Sequence, residues 1–142
     1  ISVATACHQA WSANLFTGAS RSEVLLSGGV IYPRLVVLVG PLAVEAFNKI
    51  HADAAIMSAG GICLEGITNS HGLLIDIQLA MIRAVQKVIF CFDHTKFGRQ
   101  SVLPLCDLDC LDTIVTDSQA PPALVQSLRA RDIDVVLAPT EA

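Results

Sequence analysis

One segment constrains the fold of this chain more than any other: the apolar run Val88–Phe92, which ends abruptly at Asp93. A turn of polar residues containing Lys96 follows, and Gly98 closes the segment. A short apolar run bounded by turn signals is typical of a buried strand in a parallel sheet. Because ligands of open α/β sheets bind just beyond the carboxyl ends of strands, Asp93 and Lys96 are placed where a small polar or anionic ligand would bind. The alternative is that Asp93 only orders the turn and Lys96 is a solvated surface cation.

Short apolar runs and helical patterns alternate along the rest of the sequence. The predicted strands are Ile1–Thr5, Glu23–Leu26, Arg34–Val39, Ala54–Met57, Val88–Phe92, Asp112–Val115 and Ile133–Leu137. The predicted helices are Ala6–Gly18, Leu42–Ile50, Leu73–Gln86 and Pro121–Ala130, and Ile62–Thr68 is predicted as a hairpin-like loop. Strands separated by helices indicate βαβ units. We therefore expect an α/β fold, with a mostly parallel open sheet and helices on both faces.

The predicted helix Leu73–Gln86 is unusual because apolar side chains occur on nearly every side of it. A helix with this pattern is surrounded by protein. The whole chain is rich in apolar residues, 53% of 142, with only 15% charged. No apolar run approaches the roughly 18–20 residues that would span a bilayer. We therefore expect a homo-oligomer without a membrane partner, in which subunit or domain contacts surround this helix.

Charge and cysteine content argue against several classes of protein. The net charge is −4 and the nine basic residues are scattered, so this chain alone is not expected to bind nucleic acid. Five cysteines without a signal segment indicate a reducing compartment, and we expect a cytoplasmic protein. The spacing of cysteines and histidines matches no metal cluster, so neither a metal nor a cofactor is expected. Most of the thiols are interpreted as buried small hydrophobic groups.

Glycine-containing turns recur at the predicted strand ends. They are Ser27-Gly28-Gly29, Gly40-Pro41, Gly60-Gly61 and the turn after Asp93. Consecutive backbone amides in such turns form concave anion-binding surfaces. None has a P-loop or dinucleotide fingerprint, so each taken alone is better interpreted as a tight turn. Several on one edge of a sheet favour a ligand pocket.

No set of side chains has the spacing of a catalytic site. Asp93 and His94 are adjacent, so we expect their side chains to diverge. Glu65 is a possible general base in a predicted loop, and Ser58 lacks the flanking pattern of a nucleophile elbow. We therefore assign no catalytic residue and expect the chain not to be an enzyme.

Several segments resemble DeoR-type bacterial transcriptional regulators in their order and spacing. They are Leu38-Val39-Gly40-Pro41-Leu42-Ala43, Ser58-Ala59-Gly60-Gly61-Ile62, Ala80-Met81-Ile82, Asp93-His94-Thr95-Lys96-Phe97-Gly98, Leu111-Asp112-Thr113-Ile114-Val115-Thr116-Asp117, Pro121-Pro122 and Ile133-Asp134-Val135-Val136. The Asp-x-x-Lys-Phe-Gly segment and the Thr-Asp strand end are the most specific of these. The resemblance covers nearly the whole chain.

The resemblance implies that residues 1–142 form a C-terminal effector-binding and oligomerisation domain. Its fold would be like that of ribose-phosphate isomerase, glucosamine-phosphate deaminase and CoA transferases. Such domains bind phosphorylated sugars or sugar-alcohol phosphates, while a separate N-terminal winged helix-turn-helix domain binds operator DNA. We expect that DNA-binding domain, and the family's first strand with its phosphate loop, to be absent from this sequence.

The resemblance also implies a set of ligand-binding residues. They are Thr5, Gly28, Gly29, Gly61, Gln78, Asp93 and Lys96. Lys96 would pair with a phosphate or hydroxyl group, Asp93 would accept hydrogen bonds from hydroxyl groups, and the glycines would offer backbone amides. Three positions depart from the family pattern, with Ala6 in place of asparagine, Gly60 in place of aspartate and Gln78 in place of lysine.

Three hypotheses about function remain open. The first is a ligand-sensing domain of a DNA-binding regulator of carbohydrate metabolism, expected to be a repressor, whose effector is a phosphorylated sugar or sugar alcohol. The second is a sugar-phosphate isomerase or deaminase in which Asp93 and Lys96 act with Glu65. The third is an assembly module whose pocket no longer binds a ligand.

Overall fold

The computed structural model describes residues 3–7 and 22–139 of the chain. The chain divides into two units, Ile1–His51 and Ala52–Ala142. Most of the predicted helix Ala6–Gly18 lies outside the described residues, and its first two positions belong to a strand instead. Within the described ranges, no helix is both long enough and apolar enough to cross a membrane.

The described part of the first unit contains two strand pairs and a helix. Strands β1 (Val3–Cys7) and β2 (Ser22–Leu26) are parallel, whereas β3 (Val30–Tyr32) and β4 (Val37–Val39) are antiparallel. Helix α1 (Pro41–Asn48) begins at its proline, as predicted, because the fixed φ of proline suits the first turn of a helix.

The strand predicted over Arg34–Val39 is shorter than expected. Residues 33–36 form the turn between β3 and β4, where the Leu35 N–H donates to the Tyr32 carbonyl at 3.3 Å. Val36 has a φ of 52°, a left-handed conformation that β-branched residues rarely adopt. The apolar pattern therefore predicted a strand where the chain in fact reverses direction.

The second unit is built on a parallel sheet of four strands in the order β11-β10-β8-β5. These strands are β5 (Ala52–Met57), β8 (Val85–Cys91), β10 (Thr113–Asp117) and β11 (Asp134–Ala138). Four buried side chains in register form a row across the sheet: Met57, Phe90, Ile114 and Val135. Helices α2 (Gly72–Arg83) and α3 (Pro122–Arg129) pack beside these strands. The predicted α/β class with a mostly parallel sheet is confirmed.

A second, antiparallel sheet adjoins the first within this unit. It consists of β6 (Gly61–Cys63), β7 (Gly66–Asn69) and β9 (Leu103–Cys106). The hairpin of β6 and β7 was predicted, but β9 was not. Pro104 lies within β9 and cannot donate to a sheet, which removes the strand signal and restricts β9 to an edge.

Helix α2 packs against both sheets of its own unit. It contacts β5 and β8 of the parallel sheet and also β7 and β9 of the antiparallel sheet. Two sheets of the same unit therefore cover much of its apolar surface, although Leu73 is 42% exposed. The interpretation of this pattern as a subunit or domain interface stays a prediction. The helix also ends at Arg83, earlier than predicted, because Val85 already pairs with Ala52 in the sheet. Oligomerisation itself stays a prediction.

The cysteines are more accessible than predicted. Of the four whose side chains are described, Cys91 is exposed, whereas Cys63, Cys106 and Cys110 are half-buried. The interpretation as buried hydrophobic groups was wrong for these four. Cys91 lies next to Phe90 in β8 and so points away from the buried row, because successive strand residues face opposite sides.

Candidate functional site

The turn after β8 lies at the carboxyl end of the parallel sheet. Asp93 precedes a short 3₁₀ turn, His94–Lys96, and caps it by accepting hydrogen bonds from the Thr95 N–H at 2.9 Å and from the Thr95 hydroxyl. The Thr95 hydroxyl is the main reason that the pKa of the Asp93 carboxyl is lowered from its ordinary value. The turn-ordering role considered for Asp93 is confirmed, and its ligand-binding role stays a prediction.

Lys96 lies at the end of this turn with its side chain half-buried. Its backbone N–H donates to the Asp93 carbonyl at 3.1 Å, which fixes the backbone from which the side chain extends. Among the described residues, no carboxylate forms an ion pair with its ammonium group. The turn is anchored to the core by Phe97, whose ring packs edge-on against Phe92 with centroids 6.3 Å apart.

Gly61 lies directly against the segment that follows Lys96. Ile62 and Phe97 form a parallel bridge, and the Gly98 N–H donates to the Ile62 carbonyl at 2.8 Å. A Cβ atom on Gly61 would lie 2.1 Å from the Arg99 carbonyl oxygen, so this close approach requires glycine. The structure thus brings Gly61 to the turn that carries Lys96.

Gln78 is buried on α2, and both ends of its amide are hydrogen-bonded within the protein. Its Oε1 accepts from Asn69 Nδ2 at 2.8 Å, and its Nε2 donates to the Ser58 carbonyl at 2.7 Å. Ser58 begins the loop that leads to Gly61. Gln78 therefore holds this loop in place, and its predicted contact with a ligand stays a prediction.

The remaining candidates, Thr5, Gly28 and Gly29, belong to the first unit. Thr5 lies in β1, and the two glycines follow β2 with φ of 70° and 107°. A Cβ atom on Gly29 would lie 2.5 Å from the Val39 carbonyl oxygen, whereas Gly28 has open space around it. Gly29 is thus required by packing within its own unit as well as by its φ.

Sequence reasoning missed a contact between His94 and Asp117, the last residue of β10. The Asp117 carboxylate accepts from the His94 N–H and the Gln119 N–H, each at 2.8 Å, and both of its oxygens lie 3.1 Å from His94 Nδ1. The hydrogen bond from the His94 N–H is the main reason that the pKa of Asp117 is lowered. The expected divergence of Asp93 and His94 is confirmed, since their side chains have different partners. The signals for Asp117 were its place at a strand end and the family resemblance of the Thr116-Asp117 pair.

Glu65 is a poor candidate for a general base. It lies at the β6–β7 turn beside a cleft of about 400 Å³ that is also lined by Cys63, Gln100 and Asp107. Interaction with the Cys63 thiol is the main reason that the pKa of Glu65 is lowered, which weakens it as a base near neutral pH. None of the seven predicted ligand-binding residues lines this cleft. Across the described ranges, no three His, Cys, Asp or Glu residues are arranged to hold a metal ion.

Comparison with known proteins gives a match over most of the chain. Residues 2–118 match the family model described as the DeoR C-terminal sensor domain. The HTH-type transcriptional regulator GolR of Listeria innocua is 28% identical over 117 residues, covering 82% of this chain and 46% of that protein. The L-fucose operon activator of Haemophilus influenzae is 27% identical over 87% of this chain and 50% of its own length. The HTH-type transcriptional repressor GlcR of Bacillus subtilis is 26% identical over 88% of this chain and 48% of its own length. The chain thus spans about half the length of these relatives.

Proposed function

The chain belongs to the DeoR C-terminal sensor domain family, and from that premise we propose that it senses a phosphorylated sugar or sugar alcohol on behalf of a DNA-binding regulator. The relatives are named as transcriptional regulators, and the name of one of them refers to an L-fucose operon. A further relative, in Escherichia coli, is described as a glycerol-3-phosphate regulon repressor. These descriptions support carbohydrate metabolism as the regulated process, and the family match confirms the resemblance found in the sequence.

The observation that carries the proposal is the strand-end turn with Lys96. An ammonium group that is half-buried and lacks a described carboxylate partner suits an anionic ligand, and the carboxyl end of a parallel sheet is where such ligands bind. In the proposed site Lys96 binds the phosphate and Asp93 accepts hydrogen bonds from hydroxyl groups. Gly61 offers its backbone close to the same turn. That Thr5, Gly28 and Gly29 bind the ligand stays a prediction.

The proposed mechanism is differential binding. A ligand that binds one arrangement of the subunits more tightly than another shifts the population toward it, and operator affinity changes with that arrangement. DNA would be bound by an N-terminal domain outside this sequence, in agreement with the net charge of −4 here. We propose repression as the sense of regulation. One relative is described as an activator and another as a repressor. An operator-binding assay should therefore measure whether the ligand lowers or raises the affinity for the operator.

The test is a thermal-shift screen of the full-length regulator with ribose 5-phosphate, glucose 6-phosphate, glycerol 3-phosphate and inorganic phosphate. A ligand at 100 times its Kd stabilises the folded state by about 2.7 kcal/mol, which raises Tm by several degrees. We expect Lys96→Ala to abolish this rise. Lys87→Ala is the matched control, because Lys87 is an exposed lysine of the preceding strand β8.

Two results of the screen would contradict the proposal. If no sugar phosphate raises Tm, the sensing function fails, and a stable oligomer would then favour the assembly module. If a phosphate raises Tm equally in the wild type and in Lys96→Ala, the ligand binds elsewhere. Turnover of ribose or hexosamine phosphates that is lost in Asp93→Asn would instead support the enzyme hypothesis.

A further inference from the structure

We propose that His94 is a further effector-binding residue and that Asp117 is its positioning residue. His94 Nε2 accepts a hydrogen bond from a hydroxyl group of the ligand's polyol part, while Lys96 binds the phosphate. This inference rests on the proposed function, since it adds a specificity-determining contact to the same site.

The orientation of the His94 ring follows from its contacts with Asp117. Nδ1 lies 3.1 Å from each carboxylate oxygen, which makes Nδ1 a hydrogen-bond donor. A neutral imidazole that donates from Nδ1 has an acceptor lone pair on Nε2. Nε2 is therefore fixed as an acceptor while the ring is neutral.

The Nε2 side of the ring is available to a ligand. Among the described residues, none is hydrogen-bonded to Nε2, and the His94 side chain is 38% exposed, whereas that of Asp117 is 19% exposed. The backbone of the turn does not need the ring contact, because the His94 N–H already donates to Asp117. The ring contact instead fixes the direction and tautomer of the imidazole.

His94 and Lys96 lie on the same short turn and offer different chemistry. The ammonium of Lys96 attracts an anion, whereas a neutral Nε2 acceptor selects a hydroxyl donor. Together they distinguish a polyol phosphate from inorganic phosphate. Asp93 has Oδ1 engaged by Thr95, so His94 adds an acceptor whose position does not depend on that carboxylate.

The first experiment measures the Kd of the full-length regulator by calorimetry for inorganic phosphate and for the probe sugar phosphate that raises Tm most. In His94→Asn the side-chain amide replaces the Nδ1 donor but leaves no atom at the place of Nε2, whereas in His94→Gln an amide atom reaches that place. We expect His94→Asn to raise the Kd for the sugar phosphate about tenfold, while the Kd for inorganic phosphate changes less than about twofold. His94→Gln should recover most of the sugar phosphate affinity, and Lys96→Ala should weaken both ligands.

A second measurement needs no ligand. In protein labelled with nitrogen-15 at histidine, the chemical shifts of the neutral ring should show the proton on Nδ1 of His94 in the wild type. In Asp117→Asn only one acceptor oxygen remains beside Nδ1, so the fraction of neutral rings with the proton on Nδ1 should fall.

The outcomes separate the two proposals. If the wild type binds a sugar phosphate and Lys96→Ala does not, but His94→Asn binds like the wild type, the inference about His94 is overturned and the proposed function stands. A proton on Nε2 in the neutral wild-type ring also overturns it. If the wild type binds none of the probes, the proposed function fails and the inference falls with it.

Discussion

Gly61 shows how a single residue can be identified from the sequence for an incomplete reason. The sequence analysis selected it for a backbone amide that could bind an anion, but its place against the Arg99 carbonyl already requires glycine. We predict that Gly61→Ala destabilises the fold by about 1–3 kcal/mol, because the Cβ atom can be accommodated only by moving backbone. Urea denaturation followed by circular dichroism measures the free energy of unfolding.

Gly72→Ala is the control for this substitution. A Cβ atom on Gly72 would meet only Leu103 Cδ1 at 4.0 Å, and alanine is favoured over glycine in a helix. This variant should be at least as stable as the wild type. Equal unfolding free energies for the two variants would contradict the clash, at 2.1 Å, between a Cβ atom on residue 61 and the Arg99 carbonyl oxygen.

The thiols of Cys106 and Cys110 should differ in reactivity. A hydrogen bond between them raises the pKa of Cys106 and lowers that of Cys110. Because the thiolate is the nucleophile, we predict that iodoacetamide at pH 7 modifies Cys110 faster than Cys106, as measured by mass spectrometry of peptides. Cys106→Ala removes the hydrogen bond and should slow the modification of Cys110. An unchanged rate in that variant would contradict the prediction.

Residue type and position at a strand end were sufficient to predict Asp93 and Lys96 as candidates. They were not sufficient for His94 and Asp117, which are 23 residues apart and meet only because β8 and β10 are neighbours in the sheet. Gln78 was selected from its place in a family pattern, yet its amide donates a hydrogen bond to the Ser58 carbonyl and so holds that loop. Pairing between distant segments decided each of these cases, and a pattern of neighbouring residues does not contain it.

At the scale of elements, Asp117 ties the end of β10 to the turn after β8. Its folded-state pKa lies below the ordinary value, so the stability that it contributes is complete above the unfolded-state pKa, near 4, and is lost as the pH falls through the folded-state pKa. We predict that Asp117→Asn lowers Tm at pH 7 more than at pH 3. Calorimetry at the two pH values measures the difference.

Asp53→Asn provides the comparison, because Asp53 is an exposed residue of β5 for whose side chain no hydrogen bond is described. It should lower Tm little at either pH. If Asp117→Asn lowers Tm by the same amount at both pH values, the ionised carboxylate is not what stabilises the turn.

Other elements show where local patterns mislead. Strand β9 contains Pro104, and its neighbours in the sheet supply the pairing that its sequence does not signal. Helix α2 ends at Arg83 although the apolar pattern continues, since Val85 is already engaged by β5. A contact with a distant strand decides the existence of β9 and the end of α2, and the local pattern contains neither contact.

At the scale of the molecule, the α/β class was predictable because alternation of strands and helices is a local property repeated along the chain. The exposure of the sheet was not predictable in this way. Met57, Phe90 and Ile114 are buried on one face, whereas Ile56 and Val136 on the opposite face are 68% and 45% exposed. Apolar side chains of this kind suit contact with further protein, and the predicted homo-oligomer stays a prediction.

The buried amide of Gln78 has a mechanical consequence. It is bonded on one side to Ser58, at the end of β5, and on the other to Asn69, at the end of β7, so a single side chain joins two sheets through the helix between them. If the loop at Ser58 shifts outward, either this bond breaks or α2 travels with the loop and pulls the hairpin along. Strain applied at the Ser58 loop is thereby shared by the parallel sheet, α2 and the antiparallel sheet.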